Sequence, residues 1–263
     1  MDELKARHRA LWALGDYPAV AADLVAPLGP VLVAATGIGP GHRVLDVAAG
    51  SGNVAIPAAL TGAAVVAADL TPELLAAGQT LAADRGASLT WREADAEDLP
   101  FAPDSFDVVV SCVGAMFAPH HRATADEIVR VTRPGGTIGL ISWTPGGFVG
   151  QLFATMKPFV AAPPPGVQAP PLWGSEEHVA TLFGDRVSGV VAEKRTLTVS
   201  AFASGAEFRD YFAANYGPTI AAYRGLDADR TAALDAALAR LGDGALVGGG
   251  MEWEYLLWTA SVV

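Results

Sequence analysis

The chain has 263 residues, 51% of them hydrophobic, enough to bury a sizeable core as one domain with an insertion or as two small ones. Its formal charge of −11, from 17 Lys and Arg against 28 Asp and Glu, argues against a nucleic-acid partner, because phosphate binding asks for a basic surface. A single cysteine, Cys112, rules out an internal disulfide. The start Met1-Asp2-Glu3-Leu4-Lys5 lacks a signal pattern, and Gly and Pro interrupt every long uncharged stretch, so a cytoplasmic protein without a membrane span is expected.

Residues 1–36 read as helices, with Asp16 capping a segment that begins near Pro18. Gly37 to Gly41 is a turn, and Arg43 to Val47 the first strand. A loop of small residues, Ala48-Ala49-Gly50-Ser51-Gly52-Asn53, then leads into a helix from Val54 to Leu60. A second strand, Ala63 to Ala68, ends in Asp69. Thr71-Pro72-Glu73 opens a helix with a hydroxyl at the cap, Pro in the first turn and an acid behind it. Further strands cover Ser88 to Glu93, Asp107 to Cys112 and Thr137 to Trp143. A helix from Arg122 to Val131 ends in the turn Arg133-Pro134-Gly135-Gly136. Strand and helix alternate, the pattern of a parallel sheet covered by helices.

After Trp143 the character changes. A helix (Val149 to Phe159), a stiff proline loop and a helix capped by Ser175 precede a strand near Val190 to Val199. Helices Ala206 to Arg224 and Asp227 to Leu241 follow, then a last strand, Glu252 to Thr259. Of 21 aromatic residues, 15 lie beyond residue 142, which leaves two readings open: a second hydrophobic cluster, or an apolar substrate cavity lined by this half.

The glycine loop carries the chemistry. Gly50 and Gly52 can adopt positive φ and lack a Cβ, so a ligand can approach the backbone and the N–H groups opening the next helix. Gly50-Ser51-Gly52-Asn53-Val54-Ala55 also fits the G-x-G-x-x-A dinucleotide fingerprint, and an NAD-dependent oxidoreductase is the alternative reading. Two features oppose it. Asp46, at the end of the first strand, repels a pyrophosphate but welcomes a cation. Asp95, just after the third strand, is placed to accept from an exocyclic adenine amine. With Asp69 on the ribose hydroxyls, three acids at successive strand ends suit an adenosine with a positive tail, and S-adenosylmethionine has that form.

These segments, together with Ala94 to Phe101, Phe106 to Ser111 and Val131 to Gly136, resemble the successive motifs of class I S-adenosylmethionine-dependent methyltransferases. The subgroup they resemble is that of the ubiquinone and menaquinone biosynthesis enzymes, the methyltransferase domain 11 group. The resemblance implies an α/β, Rossmann-like seven-stranded, mostly parallel sheet with an antiparallel last strand and helices on both faces. The N-terminal helices and the C-terminal half add cap elements. It implies one methyltransferase domain over 1–263, with a cofactor-binding core at 40–145 and a substrate-selecting cap at 146–250. By motif position, Asp46, Ala48, Gly50 and Gly52 line the methionine end, Asp69 and Leu70 hold the ribose, and Asp95 and Ala96 hold the adenine. Ser111 presents backbone near the amino acid moiety. The family often has Gly where this chain has Ala48, which permits close approach if its φ is negative.

The implied reaction is methyl transfer to a small, partly apolar acceptor at O, N or C by in-line displacement, with S-adenosylhomocysteine as product and no metal. A monomer or homodimer is expected, and a non-catalytic sensor that binds the cofactor is a further alternative. His120 and His121, in the loop after the fourth strand, are the candidate general bases. Trp12 and Tyr17 are candidates to cover the cofactor, and Tyr211 and Tyr216 to orient the acceptor. His178 is expected to be solvated.

Overall fold

A computed structural model describes residues 3–263; Met1 and Asp2, part of the helical reading of residues 1–36, lie outside the described residues. Five strands, β1 (Arg43–Val47), β2 (Ala64–Asp69), β3 (Thr90–Glu93), β4 (Phe106–Cys112) and β5 (Thr132–Trp143), pair in parallel. They are followed by β6 (Val187–Val199), a two-residue β7 (Leu246–Val247) and β8 (Gly250–Val262). The sheet order is β3-β2-β1-β4-β5-β8-β6, with β7 paired onto β8. β8 runs antiparallel to both β5 and β6. The sheet is thus the expected seven-stranded one with a reversed last strand, and β7 is an added hairpin arm.

β1 pairs on both edges and is covered on both faces, so Val44, Leu45 and Val47 are fully buried, as are Val109 and Val110 of β4. Near-continuous apolar runs are what a doubly covered parallel strand requires. The first helices are α1 (Glu3–Trp12), α2 (Tyr17–Val20) and α3 (Leu28–Thr36), with a π turn at Ala21–Val25. Asp16 caps α2, its carboxylate accepting from the Ala19 N–H. Then come α4 (Ala55–Leu60), α5 (Pro72–Asp84), α6 (His121–Val131), α7 (Phe148–Met156), α8 (Glu176–Phe183), α9 (Gly205–Asn215), α10 (Gly217–Arg224) and α11 (Ala228–Ala245). Among the described residues no single helix is long and apolar enough to cross a membrane. A bent pair spanning 17–36 passes by length and composition only, and it buries Val20, Leu24, Leu28 and Leu32 in the core.

Three local expectations change. The helix expected over 206–224 breaks at Tyr216, whose backbone is extended and bridges to Gly15; α10 then starts at Gly217, with Pro218, which has no N–H to leave unpaired, in its first turn. Residues 133–136 form no terminating turn. They make an irregularity inside β5, where the pairing jumps from Phe106↔Thr132 to Val108↔Thr137. Thr71 stands at the start of α5, but its hydroxyl does not cap the helix; it bonds the Asp69 carboxylate.

The aromatic residues beyond 142 settle as core. Phe148 stacks on Trp253 at 5.3 Å, Phe183 on Trp258 at 4.7 Å, and Phe208 meets Phe212 at 4.5 Å. At the other end of the sheet the Trp91 ring of β3 wedges against two glycines. A Cβ on Gly78 would lie 2.4 Å from that ring, and one on Gly52 would lie 2.8 Å from it. The same Gly78 Cβ would stand 3.0 Å from the backbone of Ser51, so α5, β3 and the glycine loop are locked together. Gly78→Ala is therefore expected to destabilise the protein by about 1–3 kcal/mol through overpacking. A urea titration reads this as a lower midpoint at constant slope; an unchanged midpoint would show that the ring is not wedged there.

Candidate functional site

The carboxyl ends of β1, β2 and β4 meet where the strand order turns back on itself, the place where open α/β sheets bind ligands. A cleft opens there, about 840 Å³ counting the solvent space of its mouth. Its floor is the loop from Ala48 to Ser51. Leu70, Ala96 and Tyr17 stand on its walls with Asp69 and Asp95. Gly50 lies in the left-handed region at φ 55°, and the Tyr17 ring passes 3.7 Å from where its Cβ would be.

Asp69 is the buried acid of this cleft, 7% exposed. Its Oδ2 accepts from the Gly50 N–H and its Oδ1 from the Thr71 N–H, each at 2.8 Å. One carboxylate thus ties the end of β2 to the glycine loop and to the start of α5. Burial pushes its pKa up, against the pull of these hydrogen bonds. The Thr71 hydroxyl and the Leu70 N–H donate to it as well, and the carboxylate still lines the cleft. Asp95 stands across from it, where its Oδ1 accepts from Lys5 Nζ at 2.7 Å and from the Glu97 N–H at 2.9 Å.

Other expected residues are placed differently. Asp46 is turned away from the cleft: it is 1% exposed, and its Oδ2 accepts from the Ala55 N–H at 3.0 Å, closing the N-terminus of α4. Burial pushes its pKa up to about 8, with Asp69 adding to the rise. Gly52 faces Trp91 and Ile56 rather than the cleft. Ser111 is buried behind the wall, donating to the Val47 carbonyl at 2.6 Å and accepting from the Ala115 N–H at 2.8 Å; the surface there is made by Cys112, Val113 and Gly114. Ala48 has φ 54°, so the condition of a negative φ is not met, and this conformation costs a non-glycine residue about 1–2 kcal/mol. Gly114 makes room for it, since a Cβ there would come within 2.1 Å of the Ala48 carbonyl oxygen.

Neither candidate base lines the cleft. His120 is half-exposed, and Glu97 binds it twice, accepting from its N–H at 2.7 Å and meeting its Nδ1 at 2.9 Å. His121 is fully buried as the first residue of α6, with its Nδ1 2.9 Å from Nε2 of His178 on α8 and its ring against Trp173. Burial, with the neighbouring His178 and His120 adding to the effect, pushes the His121 pKa down to about 4. His178 is half-buried in this pair rather than solvated. Tyr211 reaches Asp23 instead of the cleft, and Tyr216 is buried behind Trp12, ring centroids 5.9 Å apart.

The sequence reading passed over Lys5 and His8. They share one face of α1 with Trp12, at i, i+3 and i+7, and all three line the cleft; that helical spacing was the available signal. Burial, with Lys5 alongside, lowers the His8 pKa. Trp12 meets Tyr17 at 5.2 Å and Phe117 at 4.7 Å, forming an aromatic wall. Contrary to one of the two readings of the C-terminal half, no described residue beyond Pro119 lines the cleft. Among the described residues no three His, Cys, Asp or Glu converge as metal ligands.

A family profile described as a methyltransferase domain matches residues 45–140. An uncharacterised protein of Mycobacterium tuberculosis is 55% identical over 261 residues, covering 98% of this chain and 94% of its own length. A demethylmenaquinone methyltransferase of a Mycobacterium species (strain KMS) is 44% identical over 105 residues, 40% of this chain and 43% of that protein. Among solved structures, the YcgJ protein of Bacillus subtilis superposes with a TM-score of 0.61 at 20% identity, covering 89% of this chain and 97% of that one, a likeness of fold.

The buried histidine pair makes stability depend on pH. Unfolded, His121 titrates near its ordinary value of 6.5; folded, near 4. Between these the unfolded chain binds more protons, so stability is lost as pH falls, at up to about 1.4 kcal/mol per pH unit. His121→Gln, which cannot protonate, is expected to lose about 1–2 kcal/mol less than wild type between pH 7 and pH 5 in urea titrations. Parallel losses in the two proteins would remove His121 as the cause.

Proposed function

The chain belongs to the class I S-adenosylmethionine-dependent methyltransferases, and on that premise we propose that this cleft takes the cofactor's adenosyl group between Asp69 and Asp95. The methionine end then lies over Ala48 and Gly50, and a small, partly apolar acceptor meets it at O, N or C. One observation carries the reading: the buried carboxylate that organises the glycine loop also lines the open cleft at the sheet's switch point, together with the bare backbone of that loop. The donor set fits the group. Asp69 is placed for ribose hydroxyls with Leu70 beside it, Asp95 and Ala96 for the adenine edge, and Gly50 presents bare backbone to the amino acid end. Tyr17, packed over Gly50, closes that end.

When bound, the cofactor supplies an electrophilic sulfonium methyl for in-line displacement. The chain's part is to align the acceptor and exclude water, and such alignment can supply up to roughly 7–11 kcal/mol. Trp12, Tyr17 and Phe117 offer flat apolar faces for the acceptor. Residues 146–250 act on it from behind that wall, since Phe153 backs Phe117 at 5.8 Å and Tyr216 backs Trp12. The base role expected for His120 and His121 is set aside, because one ring is held by Glu97 and the other is buried against Trp173. The same reading takes the protein as cytoplasmic and as a monomer or homodimer.

Asp69→Ala removes the acceptor for two ribose hydroxyls. Hydrogen bonds to a charged group are worth about 1.5–3 kcal/mol each, so S-adenosylhomocysteine affinity is expected to fall by at least tenfold. Calorimetry on a variant verified as folded checks this; unchanged affinity would move the ribose elsewhere.

A further inference from the structure

Resting on that placement of the adenine, we propose that Lys5 is a positioning residue for adenine recognition: from α1 it grips Asp95 and sets that carboxylate's free oxygen toward the base. The Lys5 side chain is 7% exposed, and its Nζ lies 2.7 Å from Asp95 Oδ1 and 2.7 Å from Glu97 Oε2. A buried ammonium is retained only where carboxylates compensate it. Its geometry on Asp95 is one-sided. Oδ1 accepts both from Lys5 and from the Glu97 N–H, while among the described residues no donor reaches Oδ2. The side chain is 26% exposed, on the cleft wall. Two charge-assisted or backbone bonds to one oxygen fix the plane of the carboxylate and leave the other oxygen for a donor from the cleft.

Glu97 extends the arrangement. It holds Lys5 of α1, and it binds both the backbone and the ring of His120, next to the Phe117–Pro119 wall. Three walls of the cleft therefore meet on one cluster at its adenine end. Arg9, one turn along α1, pairs with Glu93 at 3.0 Å and holds the same helix to the end of β3. At its other end α1 is tied down where Gly15 bridges to Tyr216 and the Asp16 N–H donates to the Asn215 carbonyl. α1 thus spans the mouth of the cleft between two anchors, and the anchor at the cofactor end shares Asp95 with the adenine.

The test compares binding of S-adenosylhomocysteine with S-inosylhomocysteine, whose base carries a carbonyl where adenine carries the amine. Wild type is expected to prefer the adenine ligand by roughly tenfold or more, since the carbonyl oxygen would face Asp95 Oδ2 with no donor. Lys5→Met keeps the buried stem and removes the ammonium; its preference is expected to fall to within about threefold of unity, and Lys5→Arg to restore most of it. A general loosening of α1 weakens both ligands alike and leaves their ratio at the wild-type value, and that result overturns the proposal. Asp95→Ala separates the two claims. If it too leaves the ratio unchanged, the adenine is not at Asp95 and the cofactor placement fails along with the inference. If it abolishes the preference while Lys5→Met does not, the placement stands and only the role of Lys5 is lost.

Discussion

The site depends on one buried carboxylate. Asp69 ends β2 with both oxygens accepting backbone N–H groups, one from the glycine loop after β1 and one from the start of α5. The Ala49 N–H donating to the Ala68 carbonyl at 3.0 Å and the Trp91 ring wedged against Gly52 and Gly78 hold the same segments together. The carboxylate is kept out of water at a cost that raises its pKa. Hydrogen bonds to donors fixed in position offset part of that cost. Lining a cleft with such a group makes sense where the ligand brings further donors and positive charge.

Around this point the remaining constraints are steric. Ala48 sits in the left-handed region because β1 must turn sharply into the loop, and Gly114 accommodates it from the end of β4. Gly52 and Gly78 yield space to Trp91, so the loop is clamped from the side opposite the cleft. Asp46 closes α4 from within the sheet rather than facing a ligand. Its elevated pKa, at about 8, makes it an internal strut whose charge is costly. The cleft is roofed by α1, whose charged end meets the acids after β3 and whose aromatic end meets Tyr17 and Phe117.

Much of this was legible in the amino-acid order. Arg43–Val47 was recognisable as a strand to the residue, because a buried parallel strand bounded by a glycine turn and a small-residue loop leaves little choice. The reversed last strand followed from the resemblance and lies where it implied. What was not legible was the direction of side chains near strand ends. Asp46 and Asp69 look alike in sequence, yet one stands a residue before the end of its strand and points into α4, while the other is the last residue of its strand and faces the cleft. His121 read as a loop residue because its helix was expected to begin one position later; as the first residue of α6 its ring turns inward to His178. Partners distant in sequence, such as Lys5 with Asp95 or His121 with His178, leave no local periodicity to detect. The aromatic richness of the C-terminal half reflected its own core, while the rings that line the cleft came from the sparser first half.

The most direct measurement is a crystal structure with S-adenosylhomocysteine bound. The ribose hydroxyls are expected on the Asp69 carboxylate, with the adenine amine toward Asp95 and the amino acid moiety over Gly50. Density for the ligand outside this cleft, or within it but with the ribose away from Asp69, would contradict the account.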